Sequence, residues 1–178
     1  MREFFDSTDR RLSKLLSANA QDSVNQLANK MLLSAPTVRA RLRSLIDRNV
    51  LKVVGLLNLS ERPELIGAVV GINANAQGNL DELMKKIGDL PFVSSVSTVT
   101  GRFDLIVEVL VSGDVQDLYR FTSELLPRVA APGVISRSET FVVMKSHNKW
   151  VSLSRGCWEK NVADAADDRA EPHGSRNS

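Results

Sequence analysis

The 178-residue sequence predicts an α+β protein in two parts: a winged helix-turn-helix module, then a ferredoxin-like βαββαβ domain. Three observations predict it. Apolar residues in the first fifty positions recur at helical spacing in three short segments. From Gly67 onward, strand-like and helix-like runs follow in the order βαβ, βαβ. Charge divides in the same way: residues 1–60 carry ten Lys/Arg against five Asp/Glu, and residues 61–150 carry nine against eleven. A basic module therefore precedes a mildly acidic one, which points to a polyanionic partner for the first part alone.

Ser7 or Thr8 suits the cap of a first helix carrying Leu12, Leu15 and Leu16. Val24, Leu27, Ala28 and Met31 share one side of a second. Only the residues around Leu32-Leu33 separate it from a third, Ser34–Arg48, in which Val38, Leu42, Leu45 and Ile46 make one apolar stripe. Ser34 is placed to cap this helix, and Pro36 fits its first turn, where a missing N–H costs nothing. Arg39 and Arg43 stand four apart, off the stripe, with Arg41 and Arg48 nearby. Two tightly joined helices, the second lined with arginine, suit the major groove and phosphates of duplex DNA. The DNA-facing candidates are Ser34, Pro36, Thr37, Arg39, Arg41 and Arg43; Arg41 serves the backbone phosphates or braces the helix. Val50–Asn58 reads as a strand, either a wing or a lead into the next domain.

Gly67–Ala74 reads as a strand, followed by a helix from about Asn79 with Leu80, Leu83, Met84 and Ile87 on one face, ended at Pro91. Phe92–Thr100 and Phe103–Val111 are the next strands. Phe103, Leu105, Val107, Val109 and Val111 form an apolar face; Asp104, Ile106, Glu108 and Leu110 form a mixed one. A second helix carries Leu118, Phe121, Leu125 and Leu126, with Asp114 as its cap and Pro127 as its stop. Val134–Lys145 is the last strand. Two helices cover one face of such a sheet, and the other, partly apolar, is expected to pair with a second copy. Gly101-Arg102 fits a two-residue type II′ hairpin. Asp104 beside it either pairs with Arg102 or holds the ammonium group of a ligand. The expected organisation is residues 1–50 for the DNA-binding module, 51–66 for a linking strand and linker, 67–149 for the second domain, and 150–178 for a disordered tail holding Cys157 as an incidental residue.

No run approaches the eighteen apolar residues of a membrane span, and Met1–Asp6 has no signal-peptide core. A single cysteine fits a reducing cytoplasm. Of the two histidines, His147 follows the last strand and His173 lies in the tail. No metal-ligand spacing, catalytic triad or phosphate loop is present, so no catalytic residue, metal or cofactor is expected.

Asp9–Leu16, Gln26-Leu-Ala28, Leu33–Leu45, Thr100–Val107, Gly133-Val134 and Arg137–Val143 together resemble the Lrp/AsnC (feast/famine) transcriptional regulators. The resemblance runs from about Phe5 to Lys149. It implies homodimers that assemble further, to tetramers, octamers or hexadecamers, and a small effector, usually an amino acid, bound near Thr100–Asp104 between dimers. Gly101 and Asp104 match the family's glycine and aspartate in this loop, and Thr140 matches a last-strand position near the effector. The implied effector set is thus Thr100, Gly101, Arg102, Asp104 and Thr140. Two positions depart from the pattern. Leu32 stands where the family has glycine, which either costs about 1 kcal/mol or marks a changed turn. Arg102 stands where the family is acidic or small, which favours an effector with an extra carboxylate, or none. Siroheme decarboxylases resemble the same architecture, and a chromosome-compacting protein is a further alternative.

Overall fold

The computed structural model describes residues 5–75, 79–113 and 115–157. The chain divides into two compact units, Met1–Gly55 and Leu56–Ser178.

The first unit is built from α1 (Ser7–Ala18), α2 (Val24–Met31) and α3 (Ala35–Asp47). Asp6, rather than Ser7 or Thr8, caps α1 by accepting from the Asp9 N–H. Ser23 and Gln26 form a reciprocal capping box on α2. Leu12, Leu16, Leu27, Ala28, Met31, Val38 and Leu45 are buried together. The stripe on α3 is narrower than its periodicity suggests: Leu42 is half-buried, and Ile46 is exposed. Residues 50–56 form no strand. Val53, Val54 and Leu56 are all exposed there, because β-branched residues make a strand only where a neighbouring backbone completes the ladder.

That neighbour exists at Leu57–Asn58 (β1), which pairs antiparallel with Trp150–Val151 (β6). The main sheet of the second unit holds β2 (Leu65–Ala74), β3 (Val93–Thr98), β4 (Leu105–Ser112) and β5 (Ile135–Val142). Its order is β3-β4-β2-β5, antiparallel throughout, the ferredoxin-like arrangement. Helix α4 (Leu80–Gly88) is capped by Asn79, whose side chain accepts from the N–H groups of Asp81 and Glu82. Helix α5 (Val115–Arg120) widens into a π-helical segment, Phe121–Leu125, before a last turn, α6 (Leu126–Arg128). The widening directly precedes Pro127, whose ring cannot sit against the preceding turn of a regular α-helix. Asp114, the expected cap, lies outside the described residues. Val70, Ile72, Leu105, Val107, Val109 and Val111 pack with Leu83, Ile87, Leu118 and Phe121 of the helices.

Two expectations change here. Phe103 is not on the core face with Leu105: the Asp104 N–H donates to the Ile72 carbonyl at 2.9 Å, β4 begins only at Leu105, and the Phe103 ring lies over Gly71. Residues 150–157 are ordered, not an unstructured tail. Leu59, Leu65, Leu110 and Cys157 form a buried cluster with Val151 and Leu153 against it. Cys157 is wholly buried, so it is a packed residue rather than an incidental one. The rest of the expected tail, 158–178, lies outside the described residues.

Candidate functional site

The turn before α3 sets the geometry of the first site. Leu32 adopts φ 57°, ψ 42°, the left-handed conformation. Its side chain is 87% exposed, so the turn is kept and a leucine is held in it. The Leu33 N–H donates to the Ala28 carbonyl at 3.0 Å, which satisfies the end of α2. The Ser34 hydroxyl accepts from the Thr37 N–H at 3.3 Å and lies 2.7 Å from the Thr37 hydroxyl. Pro36 and Thr37 are exposed on the first turn of α3.

The arginines of α3 divide by task. Arg41 bonds to Asp6 and, at 3.0 Å, to the buried Asp9; Arg48 approaches Asp9 at 3.8 Å. Of the two roles open to Arg41 in the sequence, the structure shows the bracing one, tying α3 to α1. The Arg41 guanidinium and the Asp9 N–H hold the Asp6 carboxyl below the usual carboxylate range. Arg39 and Arg43 are exposed and have no ion-pair partner among the described residues. They present two uncommitted guanidiniums one helical turn apart.

The second site is the connection between β3 and β4. It is not a two-residue hairpin. The Val99 N–H donates to the Asp104 carbonyl at 3.1 Å, and residues 100–103 lie between. Gly101 has φ 128°, a conformation that explains the glycine. Asp104 pairs with neither Arg102 nor solvent alone: its Oδ2 accepts from the Ala74 N–H at 2.9 Å, where the β2–β5 register shifts. The Asn73 amide donates to the Arg102 carbonyl at 2.8 Å. Arg102 instead turns to β5. Its Nη2 lies 2.6 Å from Oε1 of Glu139, and Nη2 of Arg137 lies 2.5 Å from the same oxygen. The Arg102 guanidinium stands 5.5 Å from the Phe103 ring centre, and Phe103 meets Phe141 edge to face at 6.3 Å.

Thr140 does not join this cluster. It pairs in register with Val70, a core residue, so it lies on the helix-covered face, opposite Glu139 and Phe141. Arg137, Glu139, Phe141 and Gly71 are the residues missed in the sequence. The i, i+2 spacing of the first three on one strand is the signal that could have found them.

A family model described as the Lrp/AsnC ligand binding domain matches residues 67–151, and one described as a winged helix-turn-helix DNA-binding domain matches residues 5–52. HTH-type transcriptional regulator Rv2324 of Mycobacterium tuberculosis is 30% identical over 144 residues, 79% of this chain and 93% of that one. The chain belongs to the Lrp/AsnC family of transcriptional regulators. The crystal structure of PH0061, a Pyrococcus horikoshii protein, shares the fold with a TM-score of 0.69 at 22% identity, covering 85% of this chain and 100% of that one. The NMB0573/L-Met complex from Neisseria meningitidis superposes with a TM-score of 0.61 at 19% identity, over 83% and 95% of the two chains. As an Lrp/AsnC member the protein is a DNA-binding transcriptional regulator that couples a helix-turn-helix to a ligand-binding domain. No described helix is long and apolar enough to cross a membrane, and the described residues hold no group of three or more metal-ligating side chains.

Proposed function

We propose that this regulator works in the cytoplasm as a homo-oligomer built from dimers, such as an octamer, without catalysis of its own. It reads duplex DNA through the exposed face of α3. The observation that carries this reading is the division of the arginines: Arg41 is committed to Asp6 and Asp9, whereas Arg39 and Arg43 face solvent. Pro36 and Thr37 approach the bases and backbone at the helix N-terminus, where the helix dipole favours phosphate. Ser34 holds that end in shape.

Its DNA affinity or assembly is tuned by an amino acid bound at the Thr100–Asp104 loop. Four backbone-directed hydrogen bonds fix this loop, and preorganised donors bind small ligands with little ordering cost. The methionine in the NMB0573 complex supports an amino-acid class of effector. Asp104 serves as a positioning residue for the loop.

The test is a mobility-shift titration of the chain on its own upstream DNA. Arg39→Ala with Arg43→Ala should weaken specific binding by about 1–3 kcal/mol per lost base contact while the melting temperature holds. Unchanged affinity of the folded double variant would remove α3 as the reading element.

A further inference from the structure

The Arg102–Glu139–Arg137 cluster has more cation than it uses. Both guanidiniums converge on Oε1 of Glu139. Their side chains are 64% and 60% exposed, while that of Glu139 is 23% exposed. Each guanidinium offers five N–H donors in a planar fork that matches a carboxylate. One shared acceptor oxygen leaves most of those donors to solvent and leaves the group with a net charge of +1.

The platform under the cluster is built for it. Gly71 carries no side chain; a Cβ there would stand 2.6 Å from the Phe103 ring. The ring therefore lies on the sheet and supports the Arg102 guanidinium from below. The Asn73 bond to the Arg102 carbonyl fixes the backbone at the same point.

Resting on the reading of this loop as the effector site, we propose that its ligand is a small dicarboxylate, with acidic amino acids as the amino-acid members of that class. The ligand bridges Arg102 and Arg137 and displaces Glu139, which acts as an internal competitor. Charge decides against a neutral amino acid. It brings one carboxylate and no net charge to a cluster carrying +1, whereas a second carboxylate supplies the missing negative charge and gives each guanidinium its own partner.

The test is titration calorimetry on the full chain with L-glutamate, L-aspartate, L-glutamine and L-methionine. L-glutamate or L-aspartate should bind at least tenfold more tightly than L-glutamine, and the affinity should fall as salt rises. Arg102→Ala and Arg137→Ala should each weaken that binding tenfold or more. Glu139→Gln, which removes the competitor, should tighten it severalfold, an effect that a purely structural Glu139 would not produce. If L-glutamine or L-methionine binds as well as L-glutamate, the dicarboxylate assignment is overturned while the amino-acid reading of the loop stands. Heat from none of the four overturns both. Unchanged or weaker L-glutamate binding in a folded Glu139→Gln variant overturns the competitor role.

Discussion

A leucine in the left-handed region costs about 1–2 kcal/mol relative to an allowed conformation, because its Cβ crowds the following carbonyl. Leu32 bears that strain and returns little packing, being almost fully exposed. Leu32→Gly should therefore stabilise the first unit by about 1 kcal/mol, less the extra chain entropy of glycine, seen as a higher melting temperature with unchanged DNA affinity. A lower melting temperature would show that the side chain packs in solution. Asp9 presents the opposite case. It is buried, bonded to Arg41 and approached at 3.8 Å by Arg48, so Arg41→Ala leaves a buried carboxylate only its longer ion pair and should destabilise by about 1–3 kcal/mol. Arg39→Ala and Arg43→Ala should stay within about 0.5 kcal/mol. Thermal melts of the three variants separate brace from reader. The sequence made the set of α3 arginines legible, since a period of 3.6 puts them off the apolar stripe. It left open which of them was bound to carboxylates, because Asp6 and Asp9 lie more than thirty positions away in the chain.

Among the elements, helices α1 to α4 and the succession of four strands were legible because amphipathic periods are local, although the cap of α1 fell one residue earlier than expected, at Asp6. The segment 150–157 was not. Its anchors are sparse and its partners distant. Ser154 donates to the Leu110 carbonyl at 2.9 Å, Gly156 N–H to the Pro91 carbonyl at 2.6 Å, and Lys149 lies 3.1 Å from Glu108. Gly156 is required by space: a Cβ would stand 2.5 Å from the Phe92 ring and 3.1 Å from the Pro91 carbonyl oxygen. Gly156→Ala should destabilise the second unit by about 1–3 kcal/mol through overpacking, measurable by denaturant titration. The Ser95 hydroxyl, then Lys149, hold the Glu108 carboxyl below its ordinary range. A carboxylate whose folded value is depressed stabilises the fold above its unfolded value, about 4.3. That contribution is lost as pH falls through the folded value. Glu108→Gln should thus lower stability at pH 7 by a few tenths of a kcal/mol, given the partial exposure. The gap from the parent should close below about pH 4.

At the scale of the molecule, each unit has its own apolar core, and the division falls at Gly55. The sequence placed the second domain's start at Gly67. The structure moves it back, because β1 and the buried Leu59 and Leu65 belong to the same cluster as Cys157. A fragment cut at Gly67 would lose the partner strand of β6; one spanning residues 56–157 keeps it. The sheet face away from the helices carries Ile106 and, in register with each other, Val69 and Phe141, and Phe141 is 50% exposed. At the edge of the opposite face, Val142, in register with the core residue Ala68, borders with Met144 and Val115 a groove of about 560 Å³, and all three are exposed. Apolar surface of this extent on a small domain favours burial against another copy, at roughly 25 cal/mol per Å² removed from water. The 56–157 fragment should therefore fold alone and elute with light-scattering mass of at least twice its chain mass at micromolar concentration. The isolated 1–55 unit, whose apolar residues are largely spent on its own core, should elute as a monomer that binds DNA weakly, since a lone helix-turn-helix reads one half-site. A monomeric 56–157 fragment with a native far-UV spectrum would move the assembly contacts out of the ligand-binding domain. The opposite distribution, with a dimeric 1–55 unit, would place them in the DNA-binding one.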